Sequence, residues 1–103
     1  MKALSLMIAL GAASATNAVA GASFTVQGMD FRCLAKGQGL EEGERQKMLA
    51  AARLRLRLRC YHRDMAMFLQ GPEKVEESER YSHACMPGDV FRQVLITQSC
   101  YVI

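Results

Sequence analysis

The chain has 103 residues, half of them hydrophobic, with 13 basic against 10 acidic side chains and a formal charge of +3. That excess is too small to imply a nucleic-acid partner. A chain of this size has room for one modest core and little volume for a deep catalytic cleft.

Residues 1–20 read as a secretory signal peptide. Lys2 supplies the positive start, Ala3 to Ala13 the apolar run, and Ala18-Val19-Ala20 an A-x-A cleavage pattern before Gly21. The apolar run is roughly half the ~20 residues needed to span a bilayer, so a transmembrane helix is not expected. Cleavage after Ala20 would leave one small domain, residues 21–103, in the periplasm or outside the cell. Without Lys2 its balance is 12 basic to 10 acidic residues. Cys33, Cys60, Cys85 and Cys100 all lie in this part, and an even count in an exported chain predicts two disulfides. Three connectivities remain open.

Ser23 to Gln27 alternates like a short strand that Gly28 closes. Asp30 to Ala35 is expected to form a helical turn capped by Asp30, followed by a loop at Lys36-Gly37-Gln38-Gly39. Leu40 to Gln70 is then expected to be one long helix stopped by Gly71-Pro72, with Glu41, Glu42 and Glu44 favouring its N-terminal end through the dipole. Its middle, Arg53 to Cys60, alternates strictly as a strand would. Leu, Arg, Ala and Met are good helix formers, however, and no β-branched residue interrupts them. On a helix, Ala50, Ala51, Leu54, Leu58, Tyr61, Met65, Phe68 and Leu69 share one broad face, and Leu49, Leu56, Cys60 and Met67 form a second stripe. Pro72 is placed to open a second, acidic helix over Glu73 to Ala84. Pro87-Gly88 marks a turn, Asp89 a cap, and Val90 to Ile103 leans to helix although Val94 to Thr97 would also suit a buried strand. The fold class expected from these elements is mainly all-α, a small disulfide-stabilised domain built around Leu40 to Gln70.

Candidate chemistry is sparse. Cys60-Tyr61-His62 and His83-Ala84-Cys85 mirror each other and together hold the ligand types of a tetrahedral zinc site. Their x1 spacing differs from the usual x2–4 of structural zinc, and oxidation would consume the thiols. No G-x-S-x-G elbow occurs, and the acidic cluster Glu73, Glu76, Glu77 and Glu79 reads as a solvated face. No enzyme activity, metal or cofactor is expected. The arginines are more informative. Arg55, Arg59 and Arg63 fall on one helical sector, and with His62 they are the candidate partner-binding residues. Glu41 to Arg63 holds seven basic residues against three acidic ones, and Asp64 to Arg80 holds five acidic against two basic. This reversal favours pairing between the two segments. The alternative is a cationic helix that binds a membrane surface or lipopolysaccharide.

The cysteine framework resembles two families of small exported helical proteins. Cys33, Cys60-Tyr61, and Cys85-Met86-Pro87 with Val90 resemble the pattern of the Tai-type immunity family, which protects bacteria from amidase effectors of type VI secretion. Gln93 to Ile96 is similar to the start of that family's next helix. His62 to Phe68 departs from the pattern in having no glycine, and the gap from Cys33 to Cys60 is longer. This resemblance implies a helical binding protein that occupies the cleft of a peptidoglycan hydrolase. Asp30-Phe31-Arg32-Cys33 resembles the early acidic-Phe and cysteine segment of acid-stress periplasmic chaperones of the HdeA/HdeB kind. The resulting expectation is an exported protein-binding domain, an immunity-type inhibitor in the first instance and a chaperone or membrane-surface binder in the alternatives.

Overall fold

The computed structural model describes residues 21–103, so the expected signal peptide lies outside the described residues. Four elements follow in order: strand β1 (Ser23–Leu34), helix α1 (Glu42–Arg59), strand β2 (Met67–Arg80) and strand β3 (Val90–Val102). The sheet order is β1-β3-β2, and β3 runs antiparallel to both neighbours. β1 and β2 are therefore parallel to each other, joined through α1 and split by β3, a split β-α-β arrangement. Strand makes up 49% of the structure and helix 22%, which overturns the expected all-α fold. The helical architecture implied by both family resemblances falls with it.

Each misread segment has a local cause. In β1 the residues facing α1 are Phe24, Val26, Gly28, Asp30, Arg32 and Leu34, an alternation of period two that runs through the whole strand. Gly28 and Asp30 look like a terminator and a cap only because three positions on that face, Gly28, Asp30 and Arg32, are not apolar. Gly28 is where the helix comes closest. A Cβ there would overlap the Ala52 carbonyl oxygen and stand 2.6 Å from the Leu56 amide nitrogen. Only a residue without a side chain lets the helix backbone lie directly on the strand.

The helix ends at Arg59 instead of Gln70. Cys60 takes a non-helical conformation and is bonded to Cys100 near the end of the central strand, so the chain cannot continue along the helix axis. Met67 and Leu69 then alternate into the core as strand residues paired with Val102 and Cys100. Of the two apolar stripes on the helix, the narrower is buried. Met48, Leu49, Ala52 and Leu56 face the sheet, while Leu54 and Leu58 are exposed. Glu42 and Glu44 in the first turn and Arg57 and Arg59 in the last oppose the helix dipole.

The expected second helix is the outer part of β2. Gly71, Pro72 and Glu73 form a bulge between Gln70, opposite Ser99, and Lys74, opposite Thr97. Gly71 adopts φ +81°, and Gln98 donates a hydrogen bond to its carbonyl at 2.6 Å. β2 is an edge strand, so the missing N–H of Pro72 costs the sheet nothing. Val90 to Val102 is the central strand, and Asp89 closes a turn onto Met86 instead of capping a helix.

The core lies between α1 and the β1–β3 half of the sheet. Val26, Met48, Leu49, Ala52, Leu56, Val94 and Ile96 form it, with the Cys60–Cys100 disulfide among them. The second disulfide, Cys33–Cys85, ties the end of β1 to the loop before β3, at the opposite end of the sheet. The pairing is thus Cys33–Cys85 and Cys60–Cys100, and no described cysteine is free.

Candidate functional site

The other face of the sheet carries no covering element among the described residues. Odd-numbered residues of β1 and β3 point there; Met29, Phe31 and Leu95 form one apolar patch, and Phe68 of β2 with Tyr101 forms another towards the opposite end, with Thr25, Gln27, Thr97 and Ser99 between them. Met29, Phe31 and Phe68 are each about two-fifths exposed. Phe31 stacks on Phe91 with ring centroids 4.7 Å apart, and the Arg80 guanidinium lies 4.4 Å from the Phe91 centroid on the other strand. This sandwich buries Phe91 although it sits on the open face. Phe68 and Tyr101 make a second aromatic pair at 5.4 Å.

The outer edge of β1 adjoins the patch of Met29, Phe31 and Leu95. A cavity of about 420 Å³ opens along Gln27 to Phe31. Its open-face wall includes Met29, Phe31 and Leu95, and Arg55 and Arg59 reach it from the helix. Asp30 organises the helix side. Arg55 Nη1 donates to Asp30 Oδ1 at 2.9 Å and to the Met29 carbonyl at 2.7 Å. Arg32 Nη1 donates to Asp30 Oδ2 at 2.9 Å and to the Phe31 carbonyl at 2.9 Å. The same carboxylate therefore aims two guanidiniums at two successive outward carbonyls of the strand edge. Arg32 also reaches Glu44, which pairs with Lys47 on the helix.

Burial is the largest influence on Asp30 and pushes its pKa up. Hydrogen bonds from Arg55, Arg32 and the Phe31 amide outweigh it, and the carboxyl is held below the ordinary range. The group is ionised at neutral pH, and the two arginines are fixed by it.

The four expected partner-binding residues do not form one cluster. Arg55 and Arg59 line the cavity, and Arg59 makes no ion pair among the described residues. His62 lies in the turn after the helix, where its Nδ1 accepts from the Asp64 amide at 3.1 Å, and Arg63 points outward beside Asp64. Neither reaches the cavity. The expected pairing of the basic and acidic segments occurs through other arginines. Arg45 makes a two-pronged contact with Glu77, the shortest distance being 2.6 Å, and Arg53 meets Glu73 at 3.0 Å. Asp30, Met29 and Phe31 were missed as site residues because Asp30 looked like a cap. The signal that could have found them is the alternation continuing from Ser23 to Leu34 through Gly28.

The mirrored Cys/His motifs are not brought together. Cys60 and Cys85 belong to disulfides at opposite ends of the sheet, and among the described residues no three His, Cys, Asp or Glu side chains cluster to hold a metal ion. No described helix is long and apolar enough to cross a membrane. What the site offers chemically is a strand edge, an apolar ledge and guanidinium donors, with no nucleophile paired to a base. No family model matches the chain, and no curated protein or solved structure matches it.

Proposed function

We propose that the chain is a protein-binding module of an oxidising compartment, exported by its N-terminal segment and engaging its partner through the β1 edge and the adjoining open face. The observation that carries this reading is the uncovered apolar patch of Met29, Phe31 and Leu95 beside a guanidinium-lined strand edge, since exposed apolar patches rimmed by charge mark interaction sites. The two disulfides support the oxidising compartment. The partner class suggested by the cysteine pattern is a peptidoglycan amidase, held by occupation of its cleft. On this reading the chain performs no chemistry of its own, and the bacterial periplasm is where it works.

The test is purification of the tagged chain from the cell envelope under non-reducing conditions, followed by a peptidoglycan hydrolysis assay on any amidase it retains. Retention with loss of amidase activity supports the reading, as does sensitivity of a deletion strain to attack by sibling cells. An amidase that hydrolyses at full rate with the chain in excess overturns the inhibitor role. Phe31→Asp on the open face is expected to weaken retention without unfolding the protein, because Phe31 is part-exposed and outside the helix-packed core.

A further inference from the structure

Deepening the protein-binding reading, on which it rests, we infer that the partner is taken up as an added β-strand along the free edge of β1, and that the segment it presents alternates acidic and apolar side chains.

β1 is an edge strand of 12 residues, and its outward main-chain groups belong to the odd positions, because the Met29 and Phe31 carbonyls meet arginines instead of β3. A free edge of this length is a template for another strand and is normally guarded. Here the guard is two guanidinium side chains, with no covering strand or helix among the described residues. Arg55 and Arg32 cap two successive carbonyls, and both hang on Asp30. An incoming carboxylate offers these guanidiniums a second anion. Their release from the carbonyls opens acceptors for the amides of an added strand.

The two sides of the edge differ, and this sets the pattern of the ligand. In a strand laid against β1, successive side chains point to opposite faces. One set falls on the helix side, among Arg32, Arg55 and the unpaired Arg59, with Asp30, Glu44 and Lys47 the other charges there. The other set falls on the ledge of Met29, Phe31 and Leu95. Main-chain pairing supplies affinity and these alternate positions supply specificity. Charge decides against a basic ligand, since Arg59 has no counter-ion among the described residues and would repel it.

The direct experiment uses the folded, oxidised chain and a capped peptide of about eight residues alternating valine and glutamate, followed by NMR and titration calorimetry. The expected result is salt-sensitive binding with shifts and slowed exchange at the amides of Gln27, Met29 and Phe31. Arg59→Gln is expected to weaken binding about fivefold, the worth of one exposed charge pair, without disturbing the fold. N-methylation of alternate peptide amides is expected to abolish binding. Equal binding of the N-methylated peptide, or of one with lysine in place of glutamate, overturns the proposal. So does perturbation confined to β2, or sedimentation showing that a second copy occupies the edge. If the peptide fails while amidase capture and inhibition persist, strand addition falls and the protein-binding reading stands. If all three fail, both fall.

Discussion

The two outer strands flank the same central strand and are held in unlike ways. β1 lies under the helix, with Val26 in the core, Gly28 against the helix backbone and Asp30 locked between two arginines. β2 has only Met67 and Leu69 packed against the core, and from Gln70 to Arg80 it is exposed. Its links to the helix there are ionic, Arg45 to Glu77 and Arg53 to Glu73, while Arg92 of β3 contacts Glu77 and Glu79. Shape holds one flank and charge the other. Close packing is sensitive to a single methyl group, whereas exposed ion pairs contribute little individually and weaken in salt. The β1 flank should therefore be rigid enough to present a binding edge, and the β2 flank should be the tolerant one.

The covalent links sharpen this contrast most. Cys60 and Cys100 are 7% and 0% exposed, and their bond fixes the end of the helix over the sheet. Cys33 is exposed and Cys85 part-exposed. The loops differ little, with separations of 40 and 52 residues, which on chain entropy alone favours Cys33–Cys85 by only about 0.2 kcal/mol. Burial should reverse that order. The Cys60→Ala, Cys100→Ala double variant is expected to lose about 4 kcal/mol, and Cys33→Ser, Cys85→Ser about 2–3 kcal/mol, by urea denaturation. Graded reduction followed by alkylation and mass spectrometry should show Cys33–Cys85 opening first. Equal losses and equal reduction rates would mean that both links act only through the unfolded chain.

Gly28→Ala tests shape directly. The added methyl meets helix backbone, which cannot rotate away as a side chain tip could, and a loss of about 3 kcal/mol is expected. A variant of near-native stability would show that the helix can lift off β1 cheaply. Asp30→Asn ranks next. It leaves Arg55 and Arg32 without their shared carboxylate and should cost about 1–3 kcal/mol at neutral pH. Because the folded pKa of Asp30 is depressed, its contribution is present above the unfolded value of about 4 and is lost as pH falls through the folded one. Thermal unfolding followed from pH 7 into acid should show the decline, and Asp30→Asn should flatten part of it.

The same contrast explains what the sequence made legible. The loop after β1 and the start of α1 with its acidic first turn follow from local rules, and they are where glycines and charges place them. The disulfides follow from an even cysteine count, though their pairing depends on which strands become neighbours. The strands were hidden for opposite reasons. In β1 the alternation is interrupted by Gly28 and Asp30, residues that serve helix contact and the arginine clamp. In β2, Gly71-Pro72 and four glutamates oppose strand formation locally, and pairing with β3 overrides them. β3 carried the strand composition, but an apolar run of that length also suits a helix. Arg55 and Arg59 were legible as a pair from i, i+4 spacing. His62 and Arg63 were grouped with them only by extending a helix that Cys60 stops.

The smallest effect belongs to the β2 flank. Arg45 and Arg53 are a third to two-fifths exposed, so each pair is screened by solvent and contributes little. The Arg45→Ala, Arg53→Ala double variant should therefore show the smallest loss of stability of these variants at low salt, and the difference from the parent chain should shrink as salt is raised. Hydrogen exchange is the more telling measurement. Amides of Lys74 to Arg80 that pair with β3 should exchange faster in the variant, with those of β1 unchanged, since among the described residues no hydrogen bond or ion pair links β1 to Arg45 or Arg53. If exchange instead rises equally in β1, the two flanks unfold as one unit and the ionic side is coupled to the packed side through β3. That result would also tell against a rigid β1 edge as a platform for strand addition, because a partner's segment would then have to order the whole sheet as it bound.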